Sequence, residues 1–147
     1  MSVTATQFDL DRYLPYRLTV IAAQLSDEMA RQYKHRYGIS MAEWRVLLNV
    51  GYGKTPSIRD IEKRAGLEKS KVSRAASRLE ANGFLTKHTD DHDRRLLKLS
   101  LTQEGRALLD ALIPIAQDFQ ARLDAKLGAR LPEFHACLEI LDIQTPS

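Results

Sequence analysis

The fold is decided by residues 57–101, which read SIRDIEKRAGLEKSKVSRAASRLEANGFLTKHTDDHDRRLLKLSL. Ser57-Ile58-Arg59-Asp60 has the order of a capping box, in which the first and last side chains satisfy backbone N–H groups at the start of a helix. Gly66 is suited to end this short helix. Residues 68–82 then predict a second helix with one apolar stripe, formed by Val72, Ala75, Ala76 and Leu79. Two short helices joined by a tight glycine turn predict a helix-turn-helix.

Two β-prone runs follow directly, at 84–89 and 96–101, on either side of the charged segment DDHDRR at 90–95. Short apolar runs that flank a polar turn predict a β-hairpin. A hairpin directly after a helix-turn-helix is a wing, so the sequence predicts a winged helix-turn-helix.

Long amphipathic helices are predicted on both sides of this segment. Apolar residues recur every three or four positions from Pro15 to a stop at Gly38. Ser40-Met41-Ala42-Glu43 predicts a second capping box, and a stripe of more than five turns follows Thr102. The predicted fold is mainly α with a small β-hairpin wing.

Composition and charge narrow the class of protein. Of the 147 residues, 44% are hydrophobic and 28% are charged, which excludes collagen-like and disordered classes. The single cysteine excludes an internal disulfide, no run approaches the roughly 20 apolar residues of a membrane span, and we expect a cytoplasmic protein. The net charge is +3, yet residues 54–98 carry 12 lysines and arginines against 7 aspartates and glutamates. This basic centre indicates a surface that faces a polyanion, although a solvated helix face can have a similar composition.

The face of the 68–82 helix opposite its apolar stripe combines small hydroxyls with basic side chains. Hydroxyls allow close approach to DNA, and arginine can form two hydrogen bonds with guanine. A typical solvated face uses glutamate and lysine, whereas serine and arginine dominate here, which favours DNA over that alternative. The predicted DNA contacts on this helix are Lys69, Ser70, Lys71, Ser73, Arg74, Ser77 and Arg78.

The turn of the hairpin contains Asp93-Arg94-Arg95. A hairpin tip can place an arginine in the minor groove, where the potential is most negative, and a neighbouring aspartate can orient the guanidinium. We predict that Arg94 enters the groove and that Arg95 begins the return strand and braces the hairpin. The alternative is a soluble turn whose charges neutralise one another.

In order and spacing, these motifs resemble the MarR family of winged-helix regulators over about residues 14–142. The matching motifs are Ile58-Arg59-Asp60-Ile61, Gly66-Leu67, Val72-Ser73-Arg74, Arg78-Leu79-Glu80, Asn82-Gly83-Phe84-Leu85, Asp93-Arg94-Arg95 and Leu99-Ser100-Leu101-Thr102-Gln103-Glu104-Gly105. The resemblance implies a homodimer that binds double-stranded DNA at a palindromic promoter site, usually as a repressor. It also implies that a small molecule, often an aromatic acid, relieves repression.

The sequence supports a dimer independently, because the terminal apolar stripes are longer than a winged-helix core can cover. The alternative is a larger monomeric core. We predict an N-terminal dimerisation helix region at 1–37, a winged helix-turn-helix DNA-binding domain at 38–101 and C-terminal dimerisation helices at 102–147. The residues expected in the dimer layer are Leu10, Leu14, Phe119, Leu123, Phe134, Leu138 and Leu141.

An effector that is an aromatic acid or a thioester would need aromatic side chains for its ring and a cation for its charge. Residues of both kinds occur in or near the first two helices, although each can serve packing or a dimer contact instead. The candidates are Tyr13, Tyr16, Arg17, His35, Trp44 and Arg45.

Other functions have weaker support in the sequence. A thiol-based redox regulator would use Cys137, but this residue is expected to be a buried, inert thiol on the apolar face of the last helix. No compact pair of histidines predicts a metal, and we expect no cofactor. No arrangement of a nucleophile with a base favours a small helical enzyme. A winged helix that binds protein and lacks DNA affinity would have an acidic or apolar recognition face, and this face is basic.

Overall fold

The computed structural model describes residues 7–53 and 57–143. Within them, six α-helices and one two-stranded antiparallel sheet follow one another along the chain. The elements are α1 (Leu14–Tyr37), α2 (Met41–Tyr52), α3 (Ile58–Ala65), α4 (Lys69–Ala81), β1 (Leu85–Thr89), β2 (Leu97–Leu101), α5 (Gln103–Leu127) and α6 (Leu131–Leu141). The predicted mainly α fold with a hairpin wing is therefore confirmed.

The chain forms two compact units, Met1–Asp110 and Ala111–Ser147. The first contains the helix-turn-helix and the wing. None of the helices in the described ranges is long and apolar enough to cross a membrane.

Helix α1 begins and ends where the sequence predicts. A proline occupies its first turn, and Gly38 ends it in the left-handed conformation at φ 66°, with its N–H donating to the Lys34 carbonyl at 3.0 Å. Only Met29 and Tyr33 of this helix are buried. In its first half, Leu14, Leu18 and Ile21 are exposed in the single chain, whereas Val20 is half-buried.

Helix α2 is the centre of the first unit and packs against α1, α3, α4 and β2. Trp44, Val46 and Leu47 are buried on it, and full burial of such side chains stabilises the fold by about 1.5–3 kcal/mol each. The Trp44 ring lies 4.7 Å from the ring of Tyr33, centroid to centroid. The Tyr33 hydroxyl has no hydrogen-bond partner within the described residues, and burial raises the pKa of Tyr33.

The helix-turn-helix forms as its sequence predicts. Ser57 Oγ accepts the Asp60 N–H at 3.1 Å and the Asp60 carboxylate accepts the Ser57 N–H at 3.4 Å, which completes the capping box of α3. Gly66 ends α3 at φ 63°. The apolar stripe of α4 is fully buried, so the opposite face of this helix is directed outward. Residues Lys54-Thr55-Pro56, between α2 and α3, lie outside the described residues.

The wing pairs β1 with β2 in antiparallel register from Leu85 opposite Leu101 to Thr89 opposite Leu97. Leu85 and Leu99 are buried, which fixes the face that the hairpin turns toward the core. An isolated bridge joins Ser57 to Lys98 beside the start of α3. The prediction that Arg95 begins the return strand is wrong, because the turn is longer than expected and β2 begins at Leu97.

In the second unit, α5 runs through Pro114 to Leu127, and α6 follows after a single 3-10 turn. Phe119 is buried, with the Arg122 guanidinium 5.5 Å from its ring centroid. Helix α6 has no buried residue, and Cys137 is exposed. The expectation of a buried thiol is therefore wrong, because no residue in the described part of the chain buries Cys137.

Candidate nucleic-acid interface

The first half of α4 presents basic side chains that are free to bind a ligand. Lys69, Lys71 and Arg74 are exposed and form no ion pair with any described residue. Among the described residues, the Arg74 side chain forms one hydrogen bond, from its Nε to the Ser70 carbonyl at 3.3 Å. No acidic residue lies in the first turn, so the positive end of the helix dipole adds to these charges.

The residues predicted on the second half of α4 form hydrogen bonds with neighbouring elements of the fold. Ser77 Oγ accepts a hydrogen bond from Lys87 Nζ of β1 at 2.8 Å. Arg78 donates through Nε to a carboxylate oxygen of Glu43 on α2 at 3.2 Å. The seven predicted residues therefore separate into a free group toward the start of α4 and a pair that contacts neighbouring elements.

The contact between Glu43 and Arg78 joins α2 to α4. The Glu43 side chain is 8% exposed and that of Arg78 is 51% exposed, so the carboxylate is shielded while the guanidinium reaches solvent. Glu43 also accepts the Ser40 hydroxyl at 3.0 Å, and its own N–H donates to Ser40 Oγ at 3.2 Å. Only half of the predicted second capping box forms, because the Glu43 carboxylate binds Arg78 and the Ser40 hydroxyl.

Asp90 organises the turn of the wing. Its Oδ1 accepts the N–H groups of His92 and Asp93 at 2.7 and 3.1 Å, and its Oδ2 lies 2.8 Å from Lys98 Nζ. The hydrogen bond from Lys98, with those two N–H groups, lowers the pKa of Asp90 to about 2. Asp90 is not among the residues predicted from the sequence. The available signal was an aspartate at the start of a turn, where its side chain can accept backbone N–H groups two residues on.

The three predicted wing residues have different surroundings. Asp93 Oδ1 lies 3.2 Å from Arg95 Nε, so an aspartate does orient an arginine here. The Arg95 side chain is 89% exposed, and such a surface pair contributes at most about 1 kcal/mol. Arg94 is exposed and has no ion pair or hydrogen bond with any described residue.

A cleft of about 290 Å³ lies between α3, the start of α4 and the wing. It brings together Lys69 and Ser73 of α4 with Arg95 of the wing, three residues that the sequence analysis assigned to DNA. It also contains Arg59 of α3, which the sequence analysis quoted only as part of a motif. The available signal was a basic residue in the first turn of the first helix of a helix-turn-helix.

The six effector candidates do not meet at one place in the single chain. Tyr13, Tyr16 and Arg17 are exposed at the start of α1. His35 lies 18 residues beyond Arg17 on the same helix, which is about 27 Å at 1.5 Å per residue.

The other two candidates are engaged in packing. Trp44 is buried against Tyr33. The Arg45 guanidinium donates to the Ala65 carbonyl and to Ser26 Oγ, both at 3.1 Å. Arg45 therefore joins α1 and α2 to the end of α3, beside the turn of the helix-turn-helix.

The residues predicted for the dimer layer also fall into two groups. Phe119 is buried and Leu123 is half-buried in the single chain. The other five are exposed on the N-terminal segment and on α6: Leu10, Leu14, Phe134, Leu138 and Leu141.

This geometry defines a winged helix-turn-helix protein in which α4, the second helix of the helix-turn-helix, is basic. Residues 37–96 match the model of the MarR family, which is the family that the motifs of this segment resemble. The family consists of transcription regulators, not enzymes.

The curated relatives are helix-turn-helix-type transcriptional regulators. A helix-turn-helix-type transcriptional regulator of Bacillus cereus is 24% identical over 96 residues, which is 65% of this chain and 63% of that protein. The chain thus matches less than two thirds of the length of this curated relative.

Solved structures match nearly the whole chain. A MarR-family transcriptional regulator from Silicibacter pomeroyi superposes with a TM-score of 0.77 at 26% identity and covers 95% of both chains. A MarR mutant from E. coli, in complex with operator DNA, superposes with a TM-score of 0.75 at 21% identity over 92% of this chain and 99% of its own.

Proposed function

We propose that this chain is a sequence-specific DNA-binding transcriptional regulator. The observation that carries the proposal is the free basic group on the first half of α4, formed by Lys69, Lys71 and Arg74, beside a wing whose Arg94 is also free. Because Lys69 and Arg95 line one cleft, the helix and the wing border the same surface. A DNA duplex can engage both at once, since a recognition helix enters the major groove and basic side chains enter the minor groove.

The basic and hydroxyl residues of α4 and the wing have different roles in the proposed complex with DNA. Arg74, with Ser70 and Ser73, is the proposed reader of base edges because its guanidinium has no competing carboxylate. Arg94 contacts the minor groove. Ser77 and Arg78 hold α4 against β1 and α2, which sets the angle at which the helix enters DNA.

The regulator acts as a homodimer on a palindromic operator. Exposed apolar side chains on the N-terminal segment and on α6 support this proposal, because a monomeric soluble protein rarely exposes so many. The dimerisation regions are residues 1–37 and 102–147, on either side of the DNA-binding domain at 38–101. Two recognition helices then contact half-sites about 34–36 Å apart.

The proposed regulator is a repressor that a small aromatic acid or its thioester releases from DNA. Tyr13, Tyr16 and Arg17 support a site at the start of α1, where two exposed aromatic rings neighbour a free guanidinium. The ligand has to bind the DNA-incompetent state more tightly, since equal binding to both states shifts nothing. A tenfold loss of operator affinity corresponds to about 1.4 kcal/mol of coupling.

The function is tested by selecting DNA from a random pool with the purified full chain and sequencing what it retains. The expected result is an enriched palindrome that the protein binds at least about a thousandfold more tightly than random DNA. No enrichment, together with retention of a specific protein from the same cells, would favour the protein-binding alternative and contradict the proposal.

A further inference from the structure

The cleft between α3, α4 and the wing collects positive charge from three separate elements. Arg59 of α3, Lys69 of α4 and Arg95 of the wing all line it, against one acidic residue, Glu62. Arg95 is paired with Asp93, but Arg59 and Lys69 have no ion-pair partner in the described part of the chain. The cleft therefore keeps uncompensated positive charge in a place that is open to solvent.

The start of α4, whose Lys69 and Ser73 line the same cleft, has backbone donors that no side chain caps. Helix α4 begins at Lys69, and the side chain of Glu68 makes no capping hydrogen bond. The N–H groups of Lys71 and Val72 donate to the Glu68 carbonyl at 3.0 and 3.1 Å, which leaves the earlier N–H groups of the first turn without a capping side chain. Uncapped N–H groups at a helix N-terminus favour an anion.

We infer that this cleft binds a backbone phosphate of DNA and that Arg59 is a direct ligand of that phosphate. The inference rests on the proposed DNA-binding function and adds a contact from α3, an element outside the predicted recognition helix and wing. In a helix-turn-helix the first helix crosses the DNA backbone while the second lies in the groove. An anion between the two helices is therefore a phosphate, and arginine, lysine, serine hydroxyls and helix N-termini are its usual protein partners.

Glu62 limits the strength of this contact. Its carboxylate lines the same cleft and repels a phosphate, so Arg59 and Glu62 act on binding with opposite signs. Because a phosphate contact carries no base information, both residues change affinity for every DNA sequence by a similar factor.

The test is the salt dependence of DNA binding by the full chain, measured for the preferred site and for random DNA. Each neutralised phosphate contributes about 0.9 to the slope of log K against log salt. For Arg59→Ala we expect that slope to decrease by about 0.9 per protomer, with weaker binding to both DNAs and an unchanged ratio between them. Arg59→Lys keeps the charge and should keep the slope. Arg36→Ala, which removes an exposed arginine at the end of α1, is the matched control and should change nothing.

Glu62→Gln removes a negative charge from the cleft, so it should have the opposite effect on affinity and tighten binding to both DNAs. The thermal melt of each variant monitors folding, and Arg59 makes no hydrogen bond or ion pair within the described residues whose loss would unfold the chain. The inference is overturned if Arg59→Ala keeps the wild-type salt slope while the wild-type chain binds its selected site and Arg74→Ala weakens that binding. The proposed function would then still stand. Failure of the wild-type chain to bind any DNA would overturn both.

Discussion

At the scale of the residue, we expect the shape of the wing to depend on pH through Asp90. Its pKa is lowered from 3.8 to about 2 because the charged form accepts hydrogen bonds from Lys98 and from two backbone N–H groups. A carboxyl group with a lowered pKa stabilises the fold fully above its unfolded value and loses that contribution as the pH falls from about 4 toward about 2. We expect the carbon resonance of this carboxyl group to titrate near pH 2 and the hairpin to loosen over the same range. Asp90→Asn keeps an acceptor oxygen but loses the charge, so it should remove this pH dependence. Titration of Asp90 near the ordinary value of 3.8 would show that these hydrogen bonds do not stabilise its charged form.

At the scale of the element, two arginines four positions apart on α4 have different roles. Arg78→Met leaves the shielded Glu43 carboxylate without its cation, which costs about 1–3 kcal/mol and should lower the melting temperature by several degrees. Arg74→Met is the matched control, because it removes an equal charge from the same helix without orphaning a carboxylate. It should keep the wild-type melting temperature and lose DNA affinity. Calorimetric melts and DNA titrations of both variants measure the difference; equal melting temperatures would show that the Glu43 contact does not hold α4.

The elements of the fold could be predicted from the sequence, whereas the contacts between them could not. The caps at Ser57 and Gly66 depend on neighbouring residues, and the stripe of α4 depends on helical spacing, so local patterns were sufficient to locate these elements. The contact between Arg78 and Glu43 spans 35 positions. No local pattern distinguishes Arg78 from Arg74, because only the packing of α2 against α4 brings a carboxylate to one of them. The cleft that contains Arg59 was missed for the same reason.

At the scale of the whole molecule, the apolar surfaces of the two units predict a dimer. Leu14 is exposed in one unit, and Phe134 and Leu138 are exposed in the other. If these surfaces are covered by a second copy, folding depends on protein concentration and the melting temperature rises with it. Light scattering should give about twice the 16.7 kDa of one chain, and Leu138→Glu should lower that mass and weaken operator binding. A wild-type mass near 17 kDa at micromolar concentration, with a cooperative melt, would contradict the dimer.

We expect the free basic half of α4 to select the DNA sequence, and the specificity of a single variant shows whether it does. The affinities of the wild-type chain and of Arg74→Ala are compared on the selected operator and on random DNA, at one fixed salt concentration. The account predicts that the variant loses about 1–3 kcal/mol per half-site on the operator and much less on random DNA, so the ratio of the two affinities falls. An unchanged ratio, with a folded variant, would show that Arg74 contacts no base and would contradict the claim.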